Sequence, residues 1–226
     1  MKKQVPVNPA ENRKNGINWL AVVTALTVTC YLTSNVMAVK VVEFGGSAWF
    51  DAGTITFPLA YMLGDVLTEI WGFKTARRVV FITFICNIFF IAFSALGVLF
   101  PTPEYAAGTA EAYKLIFTVT PRILAASLIA FLVGEVANAW VMVIVKKITK
   151  GKYLFIRTIL SSVVGHGLDT AIFVVIAFAG AVPVKDVISM IVIQYIFKLG
   201  VEAIFATPIA YGAIAFLKRK VSPPTE

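Results

Sequence analysis

The chain reads as an all-α integral membrane protein of six transmembrane helices, on three observations. Only 14% of its 226 residues are charged and 59% are apolar, whereas an ordinary soluble domain carries about 25% charged residues. The apolar residues gather into runs of about 20, the length an α-helix needs to cross the hydrocarbon of a bilayer. The basic residues sit in short clusters between those runs. That pattern orients membrane helices, so the net charge of +8 does not indicate a nucleic-acid-binding face.

The first span is Asn18–Val39. Its end, Val36-Met37-Ala38, has the small-residue spacing of a cleavage site. The preceding apolar run is longer than the roughly 7–15 residues of a signal-peptide core, so it is read as a retained helix. Thr54–Trp71 is a short second span that opens near Pro58, and Val79–Phe100, Arg122–Val145 and Thr158–Gly180 follow. Val187–Leu217 is the sixth, long enough to tilt or to extend into the cytoplasm and interrupted by Pro208. Pro101–Pro121 is expected to be an outer loop rich in Ala, Gly, Tyr and Thr, with room for a short interfacial helix. Residues 1–17 then form a cytoplasmic N-terminal segment, 18–217 the six-helix domain and 218–226 a cytoplasmic tail.

Orientation follows from the clusters Lys2, Lys3, Arg13 and Lys14; Lys74, Arg77 and Arg78; Lys146, Lys147, Lys150, Lys152 and Arg157; and Lys218, Arg219 and Lys220. They hold most of the 20 Lys and Arg residues and alternate with poorly charged loops. The positive side is cytoplasmic, so both termini are placed there, in a plasma membrane crossed several times. Three helices followed by three place the halves in opposite orientation, the requirement for an inverted repeat. The internal echo is faint: Gly134-Glu135-Val136-Ala137-Asn138 against Gly165-His166-Gly167-Leu168-Asp169.

Against this apolar background the ionisable residues stand out. A charge at the centre of a membrane helix costs about 2.5–3.5 kcal/mol even on the mildest scale. Asp65 and Glu69 lie in the second span, Glu135 and Asn138 in the fourth, His166 and Asp169 in the fifth, Gln194, Lys198 and Glu202 in the sixth, and Asn35 in the first. Asp65 and Glu69, and Gln194, Lys198 and Glu202, are four apart; the other pairs are three apart. Each set therefore forms one stripe on its helix, and such stripes point into a bundle or toward water rather than at lipid. Asp65, Glu135, Asp169 and Lys198 fall near the middle of their spans and form the central group. Asn35, Glu69, Asn138, His166, Gln194 and Glu202 form a second tier. Several carboxylates here face a single lysine and the only histidine. They cannot all be ionised in a low dielectric without further cations, so protons, water or a cationic ligand must make up the balance.

Local alternatives exist. Lys198 and Glu202 fit an intrahelical ion pair, and Glu69 fits a cytoplasmic-rim partner for Arg77 or Arg78. His166 and Asn35 fit hydrogen bonds that join helices. Other chemistries find little support. Ser162, His166 and Asp169 lie along one helix and cannot converge on a carbonyl, and no Gly-x-Ser-x-Gly turn is present. One histidine and two isolated cysteines, Cys30 and Cys86, offer no metal site. No Walker A sequence is present, so no ATP hydrolysis through a P-loop is expected, and no cofactor is implied.

One stretch is specific. Phe57-Pro58-Leu59, Gly64-Asp65-Val66-Leu67-Thr68-Glu69-Ile70-Trp71-Gly72-Phe73 and Ala76-Arg77-Arg78 resemble the hallmark segment of the queuosine-precursor transporters, also called the vitamin uptake transporter (VUT) family. Ser34-Asn35, Ala126-Ser127 with Gly134-Glu135 and Asn138, Asp169-Thr170-Ala171-Ile172-Phe173 with Ala177-Phe178, and Lys198, Glu202, Pro208 and Tyr211 follow the same order. The pattern departs at Glu135, Asn138 and His166, where polar character is kept and charge is changed. The resemblance implies a non-enzymatic importer of 7-deazapurines (preQ0, preQ1 or queuine) used in tRNA modification. A guanine-like edge offers adjacent N–H donors that a carboxylate accepts in a bidentate manner, and its carbonyl wants a donor such as Lys198 or Asn35. The flat ring wants an aromatic wall, for which Trp49, Phe57, Trp140, Phe173 and Tyr195 are candidates. The rival readings are a membrane subunit energised by a separate ATPase and a small solute channel; a homo-oligomer is compatible with any of them.

Overall fold

The computed structural model describes residues 18–149, 154–201, 204 and 207–221. The described residues are mainly helical, with a β-hairpin between the first two helices. Helix α1 spans Trp19–Met37, the hairpin comprises β1 (Val41–Phe44) and β2 (Ser47–Asp51), and a 3-10 turn covers Ala52–Ile55. Then come α2 (Phe57–Trp71), α3 (Phe73–Val98), a 3-10 turn at Glu104–Ala106, α4 (Ala107–Ile148), α5 (Leu154–Phe178), α6 (Val184–Val201) and α7 (Thr207–Val221). Among the described residues, α1, α3 and the Glu104–Gly134 stretch are long and apolar enough to cross a membrane, and Val163–Phe178 is a shorter apolar helix. Many of the large apolar side chains left exposed, such as Phe89 and Phe93 of α3 and Leu132 of α4, lie on these helices. That is the surface a bilayer rather than water accommodates.

The chain divides into two compact units. The first holds α1 up to Ser34, α2, α3 up to Phe90, and α7. Its core packs Val23 of α1, Leu63, Val66, Leu67 and Ile70 of α2, Ala76 and Val79 of α3 and Leu217 of α7. Helix α2 opens with Pro58 in its first turn, where a missing N–H leaves nothing unsatisfied. It stops at Gly72, whose φ of 82° suits glycine and whose N–H donates to the Thr68 carbonyl. At this same end of the helix Lys218 of α7 donates to Glu69 at 2.6 Å. The expected rim partner of Glu69, Arg77 or Arg78, is thus replaced by Lys218.

The second unit holds residues 35–54 and 91–199. Its core joins Ile123, Ala126 and Ala130 of α4, Phe173, Val174, Ala177 and Phe178 of α5, and Val187 and Met190 of α6, with Ala48 of the hairpin. The hairpin turns at Gly45-Gly46, both with positive φ (62° and 78°), which the mirror-image turn of a tight hairpin requires. Val41 pairs with Asp51 and Phe44 with Ser47, with an irregularity between Val42 and Glu43.

Two expectations are revised. The fold is not purely helical, because the connection after the first span holds the hairpin and a 3-10 turn. The 101–121 segment is not an outer loop beyond its first residues, because α4 begins at Ala107 and continues through Pro121 for 42 residues. At 1.5 Å per residue it is about 63 Å long, roughly twice the hydrocarbon thickness. The expected sixth span takes in most of α6 and the greater part of α7, and residues 202, 203, 205 and 206 between them lie outside the described residues. Glu202, and the expected terminal segments 1–17 and 222–226, lie outside the described residues.

Candidate functional site

Burying a charge in a helical core demands a partner, and the second unit supplies one. Lys198, in the last turn of α6, donates to Asp169 Oδ2 of α5 at 3.2 Å, with side-chain exposures of 4% and 8%. The two helices come together where α5 also meets α4. A Cβ added to Gly134 would lie 3.0 Å from Asp169 Cβ and 3.0 Å from the Gly165 carbonyl oxygen. Glycine at 134 is therefore what lets α4 lie against the α5 backbone at the level of the acid. At the other end of α5, Arg122 of α4 donates to the carbonyls of Ile176 (2.7 Å) and Ala179 (2.5 Å). It satisfies groups that a helix C-terminus leaves open.

Two further buried polar groups belong to the same helices. Gln194, one turn before Lys198 on α6, is 1% exposed, and its Oε1 has no hydrogen-bond partner; Thr170, next to Asp169, is fully buried and its hydroxyl is likewise unpartnered. A buried polar group left without a partner costs about 1–3 kcal/mol, so both stand out in this apolar core.

A residue outside the sequence-based set joins them. Asp51, at the end of β2, is 2% exposed and accepts a hydrogen bond from Thr54 Oγ1 at 3.0 Å. Burial pushes its carboxyl above the ordinary carboxylate range. The Lys198 ammonium, the Thr54 hydroxyl and the backbone N–H groups of Asp51 and Thr54 pull the other way. The hairpin that carries Asp51 is held from α6 twice. The Ala48 N–H donates to Asp186 Oδ1 at 3.4 Å, and Phe50 stacks on Phe197 with centroids 5.1 Å apart and planes 25° from parallel. Gly45-Gly46 between two runs rich in β-formers was the sequence signal for this element.

The other expected residues distribute as follows. In the second unit, Asn35 is buried near the end of α1 and His166 is half-buried on α5; Glu135 and Asn138 occupy α4. Asp65 and Glu69 are exposed on α2 of the first unit. Of the proposed aromatic walls, Trp49 packs on Phe44 near the hairpin turn, Phe173 is absorbed into the core, and the Tyr195 hydroxyl donates to the Val163 carbonyl at 3.0 Å. Trp140 is exposed.

The second unit thus buries an acid–lysine–acid group among helices, and the described helices long and apolar enough to cross a bilayer define a membrane protein. The chain belongs to the family described as "Putative vitamin uptake transporter", whose profile matches residues 51–213. It is 30% identical over 182 residues, 80% of this chain and 78% of the relative, to a protein of Bacillus subtilis named "Probable queuosine precursor transporter". A protein of the same name from Haemophilus influenzae is 26% identical over 74% of this chain and 68% of its own length. The "Queuosine precursor transporter" of Escherichia coli is 24% identical over 89% of this chain and 87% of its own length. No solved structure matches the chain. The family is one of transporters, not enzymes, and the chain is accordingly a plasma-membrane protein with a small-molecule substrate.

Proposed function

We propose that this protein imports queuosine precursors, 7-deazapurines such as preQ0, preQ1 or queuine, across the plasma membrane. The observation that carries the reading is the buried Lys198–Asp169 pair joining α5 to α6 at 3.2 Å. It is a costly feature in an apolar core, and it lies beside a buried amide acceptor on Gln194. The site takes Asp169, Lys198, Gln194, Asn35, Glu135, Asn138 and His166 as its polar groups. A carboxylate or the Gln194 carbonyl accepts from the N–H edge of the base, and Lys198 donates to the ring carbonyl. Asp65 and Glu69 of α2, and Glu202, are retained as candidates on the spacing of the sequence and on their place in the family motif. The chain crosses the bilayer six times with both termini in the cytoplasm, as the distribution of lysine and arginine favours. Uptake is read as proton-linked, a reading supported by two buried acids, Asp51 and Asp169, against one buried cation, Lys198, among the described residues.

The test is rescue of uptake. Cells unable to make or import these precursors, expressing this chain, are supplied with preQ0, preQ1 or queuine, and queuosine is assayed in tRNA. Queuosine should return with the wild type and not with Asp169→Asn or Lys198→Ala expressed at equal level. Wild-type levels from both variants would refute the site. Uptake by the purified chain alone in liposomes distinguishes this reading from one that needs an ATPase partner.

A further inference from the structure

Cations gather at one end of the first unit with few acids to balance them. Among its described residues the exposed basic side chains are Lys74, Arg77 and Arg78 of α3 and Lys218 and Arg219 of α7. Packing brings the two groups to the same end. Leu217 of α7 shares a core cluster with Ala76 and Val79 of α3, and Lys218 donates to Glu69, three residues before the Gly72 that joins α2 to α3. That bond takes up Glu69, and the unit's other described acid, Asp65, lies one turn further from this end along α2. The position of the α3 cations adds to the imbalance. Lys218 and Arg219 stand in the last turn of α7, as Lys147 does in α4, where the negative end of the helix dipole favours a cation. Lys74 stands instead in the first turn of α3, at the positive end, and that turn holds no acid. Arg77 and Arg78 follow it at three and four residues, so the three share one face and repel one another. No described acid pairs with any of them.

The same face of α3 changes character along its length. Past Arg78 the helical spacing continues through Phe81, Ile82, Ile85 and Phe89, all exposed. From Arg78 to Phe89 the face runs about 16 Å, roughly half the hydrocarbon thickness of a bilayer and so the depth of one leaflet. A cationic end followed by one leaflet's depth of exposed apolar surface matches a single lipid: a phosphate above, acyl chains below. We propose that this face of α3 is a docking surface for an anionic phospholipid, with the phosphate received by Lys74, Arg77 and Arg78 and the acyl chains lying along Phe81, Ile82, Ile85 and Phe89. Lys218 and Arg219 of α7 add to the potential that draws the headgroup in. A soluble phosphate would use the cations and leave the apolar stretch without a partner. The inference goes beyond the import reading and does not depend on which solute is carried. It fits the orientation with lysine and arginine in the cytoplasm, the leaflet that holds anionic lipids.

The experiment uses the purified full chain in detergent, titrated with phosphatidylglycerol or phosphatidylcholine and followed by native mass spectrometry. The wild type should bind the anionic lipid in preference to the zwitterionic one. Removing three cations with Lys74→Gln, Arg77→Gln and Arg78→Gln together should lower that preference by about 100-fold. A second triple variant, Lys40→Gln with Lys114→Gln and Lys185→Gln, removes the same charge from exposed positions of the second unit and should keep the preference. An unchanged preference in the α3 variant, or an equal loss in both, would overturn the assignment. The wild type decides the matter if the α3 variant does not fold. In nanodiscs, phosphatidylglycerol should shield Lys74 from acylation relative to phosphatidylcholine and should not shield Lys114. Equal labelling of Lys74 in the two lipids would overturn the proposal. So would shielding of Lys74 by inorganic phosphate with no preference between the lipids, which would make the surface a site for a soluble anion.

Discussion

Removing the two members of the buried ion pair should have unequal consequences, because of Asp51. Lys198→Met takes away the ammonium that two buried carboxylates face, at exposures of 5% for Asp169 and 2% for Asp51. Breaking a buried pair from one side costs about 3–5 kcal/mol. Asp169→Asn leaves Lys198 with Asp51 as a counter-charge and an amide oxygen in place of the carboxylate. The loss is then one charge-assisted hydrogen bond, about 1.5–3 kcal/mol. Taken at mid-range, the lysine variant should therefore be the less stable by about 2 kcal/mol. Adding Asp51→Asn to Lys198→Met should restore part of the loss, because it removes one stranded acid. The resulting coupling is non-additive by about 1–2 kcal/mol. Unfolding of the purified variants in mixed micelles, followed by circular dichroism, reads all four proteins on one scale. If Asp169→Asn costs as much as Lys198→Met, or if Asp51→Asn adds to the lysine variant without recovery, Asp51 does not share the charge of Lys198.

Gly134→Ala should destabilise by about 1–3 kcal/mol, since its methyl group arrives 3.0 Å from a backbone oxygen of α5. It should also lower uptake by moving Asp169, which thermal unfolding and transport assays on the same preparation would reveal. Lys218→Ala removes an ion pair whose side chains are 52% and 41% exposed, so the unfolding free energy should stay within about 1 kcal/mol of the wild type. The Asp51 carboxyl stands above its ordinary value of 3.8 in the folded protein. Its contribution to stability is therefore complete below that value and is lost as pH rises through the raised one. Melting temperature should fall with rising pH above about 4 in the wild type. That part of the decline should be missing from Asp51→Asn, and parallel curves would contradict it.

What could be read from the residues alone was the part that costs free energy in plain view. Asp169 and Lys198 stand in apolar runs where a charge needs a reason, and the structure brings them together. Gln194 was visible for the same cause, being polar and in register with Lys198, and its open acceptor appears only with the fold. Asp51 was hidden because an acid in a connection between spans has a ready explanation in water. The glycine pair at 45 and 46, which folds that connection back as a hairpin, was the overlooked signal. The extent of α4 was also misjudged. Pro121 and the glycine and threonine before it read as a break, yet Ala106, Ala107, Ala110, Glu111, Ala112, Lys114 and Leu115 are strong helix formers, and one proline removes only one N–H donor. The partner of Glu69 could not have been chosen from sequence, since Lys218 is far away along the chain and reaches α2 only through the packing of α7.

The most direct test of the account is an experimental structure of the purified protein with a 7-deazapurine bound. The account predicts the base in the second unit, with its N–H edge within hydrogen-bonding distance of Gln194 Oε1 or a carboxylate of the Asp51–Lys198–Asp169 group. A base bound elsewhere, with that group closed on itself and packed in hydrocarbon, would contradict it.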